Sequence, residues 1–299
     1  MELTQFLNAH TVKEITIGQS GATVLDIDGT HILKHLVRNK LTDDLFNTYA
    51  REANYYKYMS PLKRNYLPEV EEVQISDDEI ILLLKKYDIF KREEINDNSL
   101  RQIAETLAQI HLEDVPDFLE KRSEENPLND AELSEDFEGW KAVLEEHEYA
   151  FNIQPLEIIR ENVNRLIIWH NTEAPVLTHG DFHPENLLTD SNGNILICDW
   201  QGVRCGAPSS DISFFISRLS ADGITINNTH FLKSYADAIL KLSGRKISIN
   251  DISRHIAAAN VITSYRFWHR FLHNNPEDRV REIYSAMTTD FHRIFPEEK

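Results

Sequence analysis

Apolar, β-prone residues come in short runs over the first ninety or so positions of the chain. They form the stretches EITIG, TVLDID, HILKHL and EIILLLKKY, and Gly-containing turns such as DGT separate them. One longer segment, TDDLFNTYAREANYYKYMS, instead contains good helix formers and no Gly or Pro, with Thr42 where an N-cap residue is expected. This pattern predicts a β-rich N-terminal region that contains one helix.

The pattern changes after about Tyr87, where helical spacing takes over. In SLRQIAETLAQIHLEDV, one helical face carries the apolar residues Leu100, Ile103, Ala104, Leu107 and Ile110. LEIIRENVNRLIIWH, THFLKSYADAILKL and ISRHIAAANVITSYRFWHRFLH have the same helical character, and a β-rich patch over 176–200 lies among them. The chain is therefore predicted to have an α+β fold, with a small β-rich N-lobe over 1–86 and a larger, mostly helical C-lobe over 87–299.

Composition narrows the class of protein. The chain has 299 residues, of which 41% are hydrophobic and 27% are charged, as expected for one soluble domain with two lobes. No apolar run approaches the roughly 20 residues that span a membrane, and the start MELTQFLNAH lacks the features of a secretory signal. Cys198 and Cys205 do not form a Cys-x-x-Cys pair, so no disulfide framework or structural zinc site is expected. The predicted location is the reducing cytoplasm.

The formal net charge of the chain is −18. Broad nucleic-acid binding needs a large basic face, so this charge argues against a nucleic-acid partner. The charge is compatible with a cationic small-molecule substrate and, more simply, with acid that only keeps the protein soluble. We expect neither a nucleic acid nor a membrane as partner, and either a monomer or a homodimer.

The stretch APVLTHGDFHPENLLTDSNGNILICDWQ concentrates the polar residues of the β-rich patch. It is predicted to form a strand, a polar loop, a strand, a turn, a strand and then an acid, and DSNGN is a strong hairpin signal. Asp181 and Asn186 lie in the polar loop with Pro184 between them, and Asp199 follows the apolar run NILIC. The hairpin is expected to set Asp181 and Asn186 beside Asp199.

Two kinds of chemistry fit such a set of residues. His179, Asp181 and His183 alternate like metal ligands, but nothing resembles a zinc-hydrolase signature such as His-Glu-x-x-His. Phosphoryl transfer needs a carboxylate to orient the attacking hydroxyl, together with a second carboxylate and an amide oxygen to hold Mg²⁺ against the phosphates. Asp181 fits the first role, and Asn186 and Asp199 fit the second. The pattern favours a kinase over a metal hydrolase.

A kinase also needs a phosphate cradle, a lysine and an acid that orients the lysine. Gly18, Ser20 and Gly21 form a small-residue turn whose backbone N–H groups could approach phosphate, although a plain hairpin turn is the simpler alternative. Lys34 lies mid-strand among apolar residues, where a lysine usually reaches to solvent. Glu52 could pair with it from the predicted helix, or could be one more solvent-exposed helix acid. The order of these parts along the chain favours the kinase interpretation.

The chain resembles the aminoglycoside phosphotransferase family, whose members are small-molecule relatives of protein kinases. The motifs that carry the resemblance are HGDFHPENLL, ICDW, IGQSGATV, ILKH and LAQIH. The resemblance runs from about residue 15 to about residue 220. The nucleotide loop is most similar to that of aminoglycoside 3′-phosphotransferases. In contrast, the continuation WQGVRCGAPSSDISFF is closer to choline-kinase-like and ecdysteroid-kinase-like branches, and the C-terminus HRIFPEEK is only loosely similar to the 3′-enzymes.

The resemblance implies a bilobal protein-kinase-like fold, Mg²⁺ as cofactor and ATP or GTP as co-substrate. It implies that Asp181 is the catalytic aspartate, that Asn186 and Asp199 bind Mg²⁺, and that His183 is not catalytic. His179 and Asp211 would brace the catalytic loop. The implied nucleotide-binding residues are Gly18, Ser20, Gly21, Lys34, its orienting partner Glu52, and the hinge residues Lys85 and Tyr87.

The implied activity is transfer of the γ-phosphate of ATP or GTP to a hydroxyl of a small molecule. An aminoglycoside-like acceptor would connect the protein with antibiotic resistance, while choline, ethanolamine or another metabolite is the alternative. A nucleotide-binding pseudokinase is a rival from another class, although every expected catalytic residue type is present. A protein kinase ranks low, because the sequence has no Asp-Phe-Gly and no Ala-Pro-Glu segment.

Two features could shape a pocket for the acceptor. The acidic region from Asp117 to Trp140 could attract a polyamine, or could be a solvated surface insertion. An aromatic cage for a quaternary amine is the second feature, and core packing is its alternative. The residues of this cage would be Trp200, Tyr265, Phe267 and Trp268.

Overall fold

A computed structural model describes residues 3–15, 23–120, 126–147 and 150–296. The predicted phosphate-binding turn with Gly18, Ser20 and Gly21 lies outside the described residues. The helices are α1 (Leu3–Ala9), α2 (Asp43–Met59), α3 (Asp97–Ile110), α4 (Asp130–Glu145), α5 (Gln154–His170), α6 (Pro208–Ala221), α7 (Asn228–Ser243), α8 (Ile249–Thr263), α9 (His269–Leu272) and α10 (Glu277–Ile294). The strands are β1 (Val12–Glu14), β2 (Thr23–Ile27), β3 (His31–Val37), β4 (Val70–Ile75), β5 (Glu79–Lys85), β6 (Asp88–Ile89), β7 (Val176–Thr178), β8 (Leu187–Thr189), β9 (Ile195–Ile197) and β10 (Arg204–Gly206).

The chain divides into two compact units. The first comprises the described parts of Met1–Lys121, Val176–Cys205 and Phe214–Gly244, and the second those of Arg122–Pro175, Gly206–Ser213 and Arg245–Lys299. The predicted α+β fold class, with a β-rich N-terminal region and a helical C-terminal region, is confirmed. The lobe boundary near residue 86 stays a prediction. Among the described residues, no helix combines the length and the apolar character needed to cross a membrane.

An antiparallel sheet with the order β1-β2-β3-β5-β4 forms the centre of the first unit. On one face, Leu3, Phe6 and Leu7 of α1 pack against a cluster that includes Leu33. On the other face, Leu36 packs against Phe46, Tyr49 and Ala53 of α2. Side chains alternate between the faces of a strand, so Lys34 shares the face of Leu36 and points toward α2.

Helix α2 begins as its sequence predicts. The Thr42 side chain accepts a hydrogen bond from the backbone N–H of Leu45 (3.3 Å), which confirms the predicted N-cap. Residues at helical spacing on one face of α2 are buried, and Glu52 is among them with 1% exposure. The alternative of a solvent-exposed helix acid is therefore wrong for Glu52.

The polar stretch 176–200 folds in the predicted order. Strand β7 is followed by a polar loop, a short 3-10 helix (Pro184–Asn186), strand β8, a turn and strand β9. The turn is closed by Asp190, whose Oδ1 accepts the backbone N–H groups of Asn192 and Asn194 (both 2.8 Å). Strand β8 pairs with β6 and β9. The loop with Asp181 therefore leads into the same small sheet as the segment after β9, which carries Asp199.

Helices form the second unit around an apolar core that includes Trp140, Ile167, Val261 and Met287. The stretch 252–273 is helical, as predicted, but a π-helical segment (Ser264–Trp268) separates α8 from α9. The indole N–H of Trp140 lies 3.1 Å from the carbonyl oxygens of both Ser264 and Tyr265. This side chain provides a donor for two carbonyl groups of the π-helical turn.

Candidate active site

Lys34 is the centre of a buried ionic cluster in the first unit. Its Nζ donates to both carboxylate oxygens of Glu52 (2.8 and 3.1 Å) and to Oδ1 of Asp199 (2.8 Å). The Lys34 side chain is 15% exposed, that of Glu52 1% and that of Asp199 36%. The cluster thus joins strand β3, helix α2 and the segment after β9, and it brings three of the predicted site residues together.

Burial and charge act in opposite directions on these groups. Burial disfavours the charge of Lys34, but the carboxylates of Glu52 and Asp199 outweigh it and raise the pKa of Lys34 above its ordinary value. Burial also opposes the charge of Asp199, but the ammonium of Lys34 and its hydrogen bond hold the pKa of Asp199 below 3.8. For Glu52, burial dominates and raises the pKa, against the charge of Lys34. Lys34 and Asp199 are therefore a cation and an anion at neutral pH.

The backbone at Asp199 adopts a left-handed conformation (φ 63°), which is uncommon for a residue other than glycine. Gln201 Nε2 donates to Oδ1 of Asp199 (2.7 Å), the same oxygen that accepts from Lys34. The next residue, Trp200, is fully buried, and its ring stacks on Tyr55 of α2 with 4.3 Å between centroids. Trp200 therefore belongs to the core, and the aromatic-cage interpretation is wrong for this residue.

The loop between β7 and β8 holds its polar side chains through local bonds. Asn186 Nδ2 donates to the carbonyl oxygen (2.9 Å) and to Oδ2 (3.3 Å) of Asp181. His183 Nε2 lies 3.4 Å from Asp181 Oδ2 and 3.1 Å from Asn186 Nδ2. Burial opposes the charge of Asp181, but the hydrogen bond and charge of His183 lower its pKa below 3.8. Asp181 is thus an ionised acceptor, and 45% of its side chain is exposed.

His179 connects this loop to the end of β9. Its ring is fully buried; Nδ1 accepts the backbone N–H of Asp181 (3.2 Å), and Nε2 lies 2.9 Å from the carbonyl oxygen of Cys198. Gly180 (φ +80°) lies so close to Gly202 that a Cβ atom there would come within 2.0 Å of the Gly202 carbonyl oxygen. A glycine is therefore required at this approach between the loop and the segment that follows Asp199.

Asn186 and Asp199 present oxygen donors in the same region. The backbone N–H of Cys198 donates to the carbonyl oxygen of Asn186 (3.0 Å), so the residue preceding Asp199 is bonded to Asn186. The amide nitrogen of Asn186 is engaged by Asp181, which leaves its amide oxygen as the group suited to a cation. Carboxylate and amide oxygens are the ligands that Mg²⁺ prefers. The donor set therefore fits a divalent cation with a preference for oxygen.

Comparison with known protein families assigns the chain. A model of the phosphotransferase enzyme family matches residues 11–241. The chain belongs to the phosphotransferase enzyme family. Members of this family transfer phosphate to hydroxyl groups of small molecules, so the predicted enzyme class, a phosphotransferase with an alcohol group as acceptor, is confirmed. The resemblance to aminoglycoside phosphotransferases and choline-kinase-like proteins is confirmed as well. A search of curated proteins found no match.

Solved structures with the same fold share little sequence with this phosphotransferase. The GDP complex of a mutant aminoglycoside 2′-phosphotransferase-IIIa is 13% identical, with a TM-score of 0.59 and coverage of 100% of this chain and 98% of that chain. An amicoumacin kinase with AMP-PNP and Ca²⁺ is 11% identical (TM-score 0.60; coverage 99% and 94%). Choline kinase from Cryptosporidium parvum Iowa II is 12% identical (TM-score 0.59; coverage 97% and 90%). These likenesses show the protein-kinase-like fold.

The remaining predicted residues of the phosphotransferase lie at the following places. The backbone N–H of Lys85, at the end of β5, donates to the carbonyl oxygen of Glu69 (2.9 Å). Tyr87 follows two residues later, and its hydroxyl accepts the backbone N–H of Glu69 (3.4 Å). Asp211 is buried in the first turn of α6 and belongs to the second unit. Tyr265 is fully buried in the core of that unit, so it is not a cage residue.

Sequence reasoning missed three contributions to the site. It treated His183 as non-catalytic and did not foresee its contacts with Asp181 and Asn186. It did not single out Gln201, which donates to Asp199, or the pair Gly180 and Gly202. The one signal that could have found these four residues is their position near the motifs. Each lies within three positions of a predicted site residue.

Proposed function

We propose that this phosphotransferase transfers the γ-phosphate of ATP or GTP to a hydroxyl of a small molecule, with Asp181 as the residue that orients the hydroxyl. The observation that carries the proposal is the junction of Lys34, Glu52 and Asp199 beside the loop of Asp181 and Asn186. Phosphoryl transfer requires positioning and charge stabilisation more than covalent chemistry, and these residues supply both.

Each side chain has a distinct part in this proposal. Lys34 would contact the nucleotide phosphates, and Glu52 would hold it extended from the sheet. Asp181, which is ionised at neutral pH, accepts a hydrogen bond from the acceptor hydroxyl and orients its oxygen toward the phosphorus. Asn186 and Asp199 would hold Mg²⁺, which when bound neutralises phosphate charge. His179 would keep the loop in place, and Gly18, Ser20 and Gly21 would bind the phosphates.

Adenine or guanine recognition would use the backbone near Tyr87. The N–H of Lys85 already donates to Glu69, so we assign the main-chain N–H that donates to the base to Tyr87 rather than to Lys85. This assignment agrees with a hinge near residue 86 between two lobes. The two cysteines are free thiols, which supports a location in a reducing cytoplasm.

The acceptor is proposed by class. The first candidate is an aminoglycoside-like or other hydroxylated amine. Its positive charge would suit the net charge of −18, and an aminoglycoside phosphotransferase of similar fold supports it. A choline or ethanolamine acceptor is the second candidate, which a choline kinase of the same fold supports. Only an aminoglycoside-like acceptor would connect the protein with antibiotic resistance.

The test is a nucleotide-consumption assay with ATP and with GTP across aminoglycosides, other hydroxylated antibiotics, choline, ethanolamine, amino acids and sugars. Asp181→Asn is the control for each acceptor that responds. Acceptor-dependent consumption that the variant abolishes supports the proposal and identifies the acceptor class. Nucleotide binding without transfer to any hydroxyl compound would contradict it.

A further inference from the structure

A second polar cluster lies in the second unit, and none of its residues is among those of the proposed reaction. It consists of His170, Glu173 and His255, and one ligand atom from each lies within 4.8 Å of the other two. His170 is the last residue of α5, Glu173 lies in the turn that follows, and His255 lies on α8. Two imidazoles and one carboxylate thus converge from two helices of one compact unit.

The local backbone accounts for the approach of the first two residues. The N–H groups of Asn171, Thr172 and Glu173 donate back to Ile167, Trp169 and His170, at 2.9 to 3.1 Å. This closing turn folds Glu173 back beside His170 instead of leading it away. The C-terminal end of a 17-residue helix also carries partial negative charge, which favours a cation at this position.

Neighbouring groups orient the cluster. The His255 ring stacks on Trp169, with 4.3 Å between centroids and 5° between planes. Ser209, which is fully buried, donates its hydroxyl hydrogen to Oε2 of Glu173. Such outer partners fix the direction of metal ligands in proteins. His170 is itself only 2% exposed, so its ring has little freedom to turn away.

We propose that His170, Glu173 and His255 bind a zinc ion or a related first-row transition-metal ion. Two histidines and a carboxylate form a zinc ligand set, and three protein ligands leave a coordination position for water. Ligands around a tetrahedral zinc ion lie about 3.4 Å apart, so ligand atoms at the 4.8 Å limit would approach one another by about 1.4 Å on binding.

The site differs in kind from the one proposed at Asn186 and Asp199. Mg²⁺ prefers a shell of oxygen atoms, whereas two imidazole nitrogens select zinc, cobalt or a similar ion. The metal would connect the end of α5 to α8. Because an ion that binds the folded chain stabilises it by mass action, zinc is expected to raise the unfolding temperature of the protein.

The experiment is a zinc titration of the chelator-treated full chain against a chromophoric competitor, with excess Mg²⁺ and no nucleotide. We expect one equivalent of zinc to bind to the wild type. His255→Asn should bind at least about 100-fold more weakly, since even loss of an outer-shell partner weakens metal binding about 10- to 100-fold. His273→Asn is the matched control, because His273 is an exposed histidine of the same unit that pairs with Glu146 instead. It should retain the site.

Glu173→Gln is a second ligand variant that should keep the fold, because its amide oxygen can still accept a hydrogen bond from the Ser209 hydroxyl. Circular dichroism without metal establishes that each variant is folded, and Co²⁺ bound to the wild type should show the intense visible absorption of a four-coordinate ion. Zinc should raise the unfolding temperature of wild type and His273→Asn, but not that of His255→Asn or Glu173→Gln. If the wild type binds no zinc in saturable fashion, or if both ligand variants bind it as the wild type does, the cluster is a hydrogen-bonded polar group and the proposal is wrong.

Discussion

The loop that carries Asp181 and the Lys34 cluster hold their functional groups in opposite ways. Asp181 is held by His183 and Asn186, which follow it within five residues. Lys34 is held by Glu52 and Asp199, which lie 18 and 165 positions away. A short motif is enough to specify the first arrangement, whereas the second exists only when the sheet, α2 and the segment after β9 are all in place.

Asp181 also differs in exposure from the pair Lys34 and Glu52. The Asp181 side chain is 45% exposed, while Glu52 is 1% exposed and Lys34 is 15% exposed. A charge that loses its partner in a buried site is costly, and one that faces solvent is not. A change at Asp181 should therefore affect the reaction alone, and a change in the pair Lys34 and Glu52 should affect both nucleotide binding and folding.

The largest effect is expected from Asp181→Asn. An amide in place of the ionised carboxylate cannot accept the hydroxyl hydrogen bond in the same way, so kcat should fall about 10²- to 10⁴-fold. The free energy of unfolding should change by less than about 0.5 kcal/mol, since the site is half exposed. Steady-state kinetics, urea denaturation and nucleotide titration measure the three quantities. Normal turnover would remove Asp181 from the mechanism, and a large loss of stability would break the distinction between loop and cluster.

Lys34→Met is expected to affect folding as well as binding. Glu52 would remain buried without its cation, so the free energy of unfolding should fall by about 3–5 kcal/mol, and nucleotide affinity should fall with it. The double variant Lys34→Met, Glu52→Gln removes both charges and should recover most of the stability while nucleotide affinity stays low. Urea denaturation of the single and double variants tests this difference. Equal stability of wild type and Lys34→Met would mean that the cluster contributes nothing to folding.

Asp199→Asn should have an intermediate effect. The amide oxygen can still accept from Lys34, but the charge offered to Mg²⁺ is lost, so affinity for Mg²⁺-nucleotide should fall at least about tenfold. Gln201→Ala is the matched control, because it removes a donor to the same Asp199 oxygen and leaves the carboxylate. Calorimetric titration should rank wild type, Gln201→Ala and Asp199→Asn in order of decreasing affinity. Unchanged affinity in Asp199→Asn would exclude its proposed metal role.

The same variant has a pH signature. The pKa of Asp199 is lowered below 3.8 in the folded chain, so its ionised form stabilises the fold above that value, and the contribution disappears as pH falls through the lowered pKa. The stability difference between wild type and Asp199→Asn should therefore be constant at neutral pH and shrink below about pH 4. A difference that grows on acidification would contradict the lowered pKa.

Some elements of the fold could be predicted from local sequence patterns, and others could not. The runs TVLDID, HILKHL and EIILLLKKY, the Thr42 cap and the turn over 190–194 are local signals, and the structure contains each of them. The run EITIG lies mostly outside the described residues. Strand β4 and helix α1 were not predicted, because VEEVQI carries polar residues at several positions and α1 has only seven residues. Both are stabilised by packing against their neighbours in the sheet region rather than by their own patterns.

The two polar clusters differ in the same respect. Lys34, Glu52 and Asp199 could be predicted because a fixed order of motifs resembles a known family. His170 and His255 are 85 positions apart on helices with ordinary amphipathic patterns, and no short motif connects them. Their approach depends on how helices pack within one unit, which composition and periodicity do not reveal.

The smallest effect, and the sharpest test of local support in the loop, is expected from His183→Asn. The change removes Nε2 from its position beside Asp181 and Asn186 but leaves the backbone of the loop intact. One hydrogen bond contributes about 1 kcal/mol, so kcat should fall roughly 2- to 10-fold with KM for nucleotide nearly unchanged. His35→Asn, at a histidine of β3 that contacts Glu79, is the control and should leave kcat unaltered. An unchanged kcat in His183→Asn would mean that Asn186 and the backbone position Asp181 without help. A loss above about 100-fold would exceed what one orienting hydrogen bond supplies, and would make His183 a catalytic group in its own right.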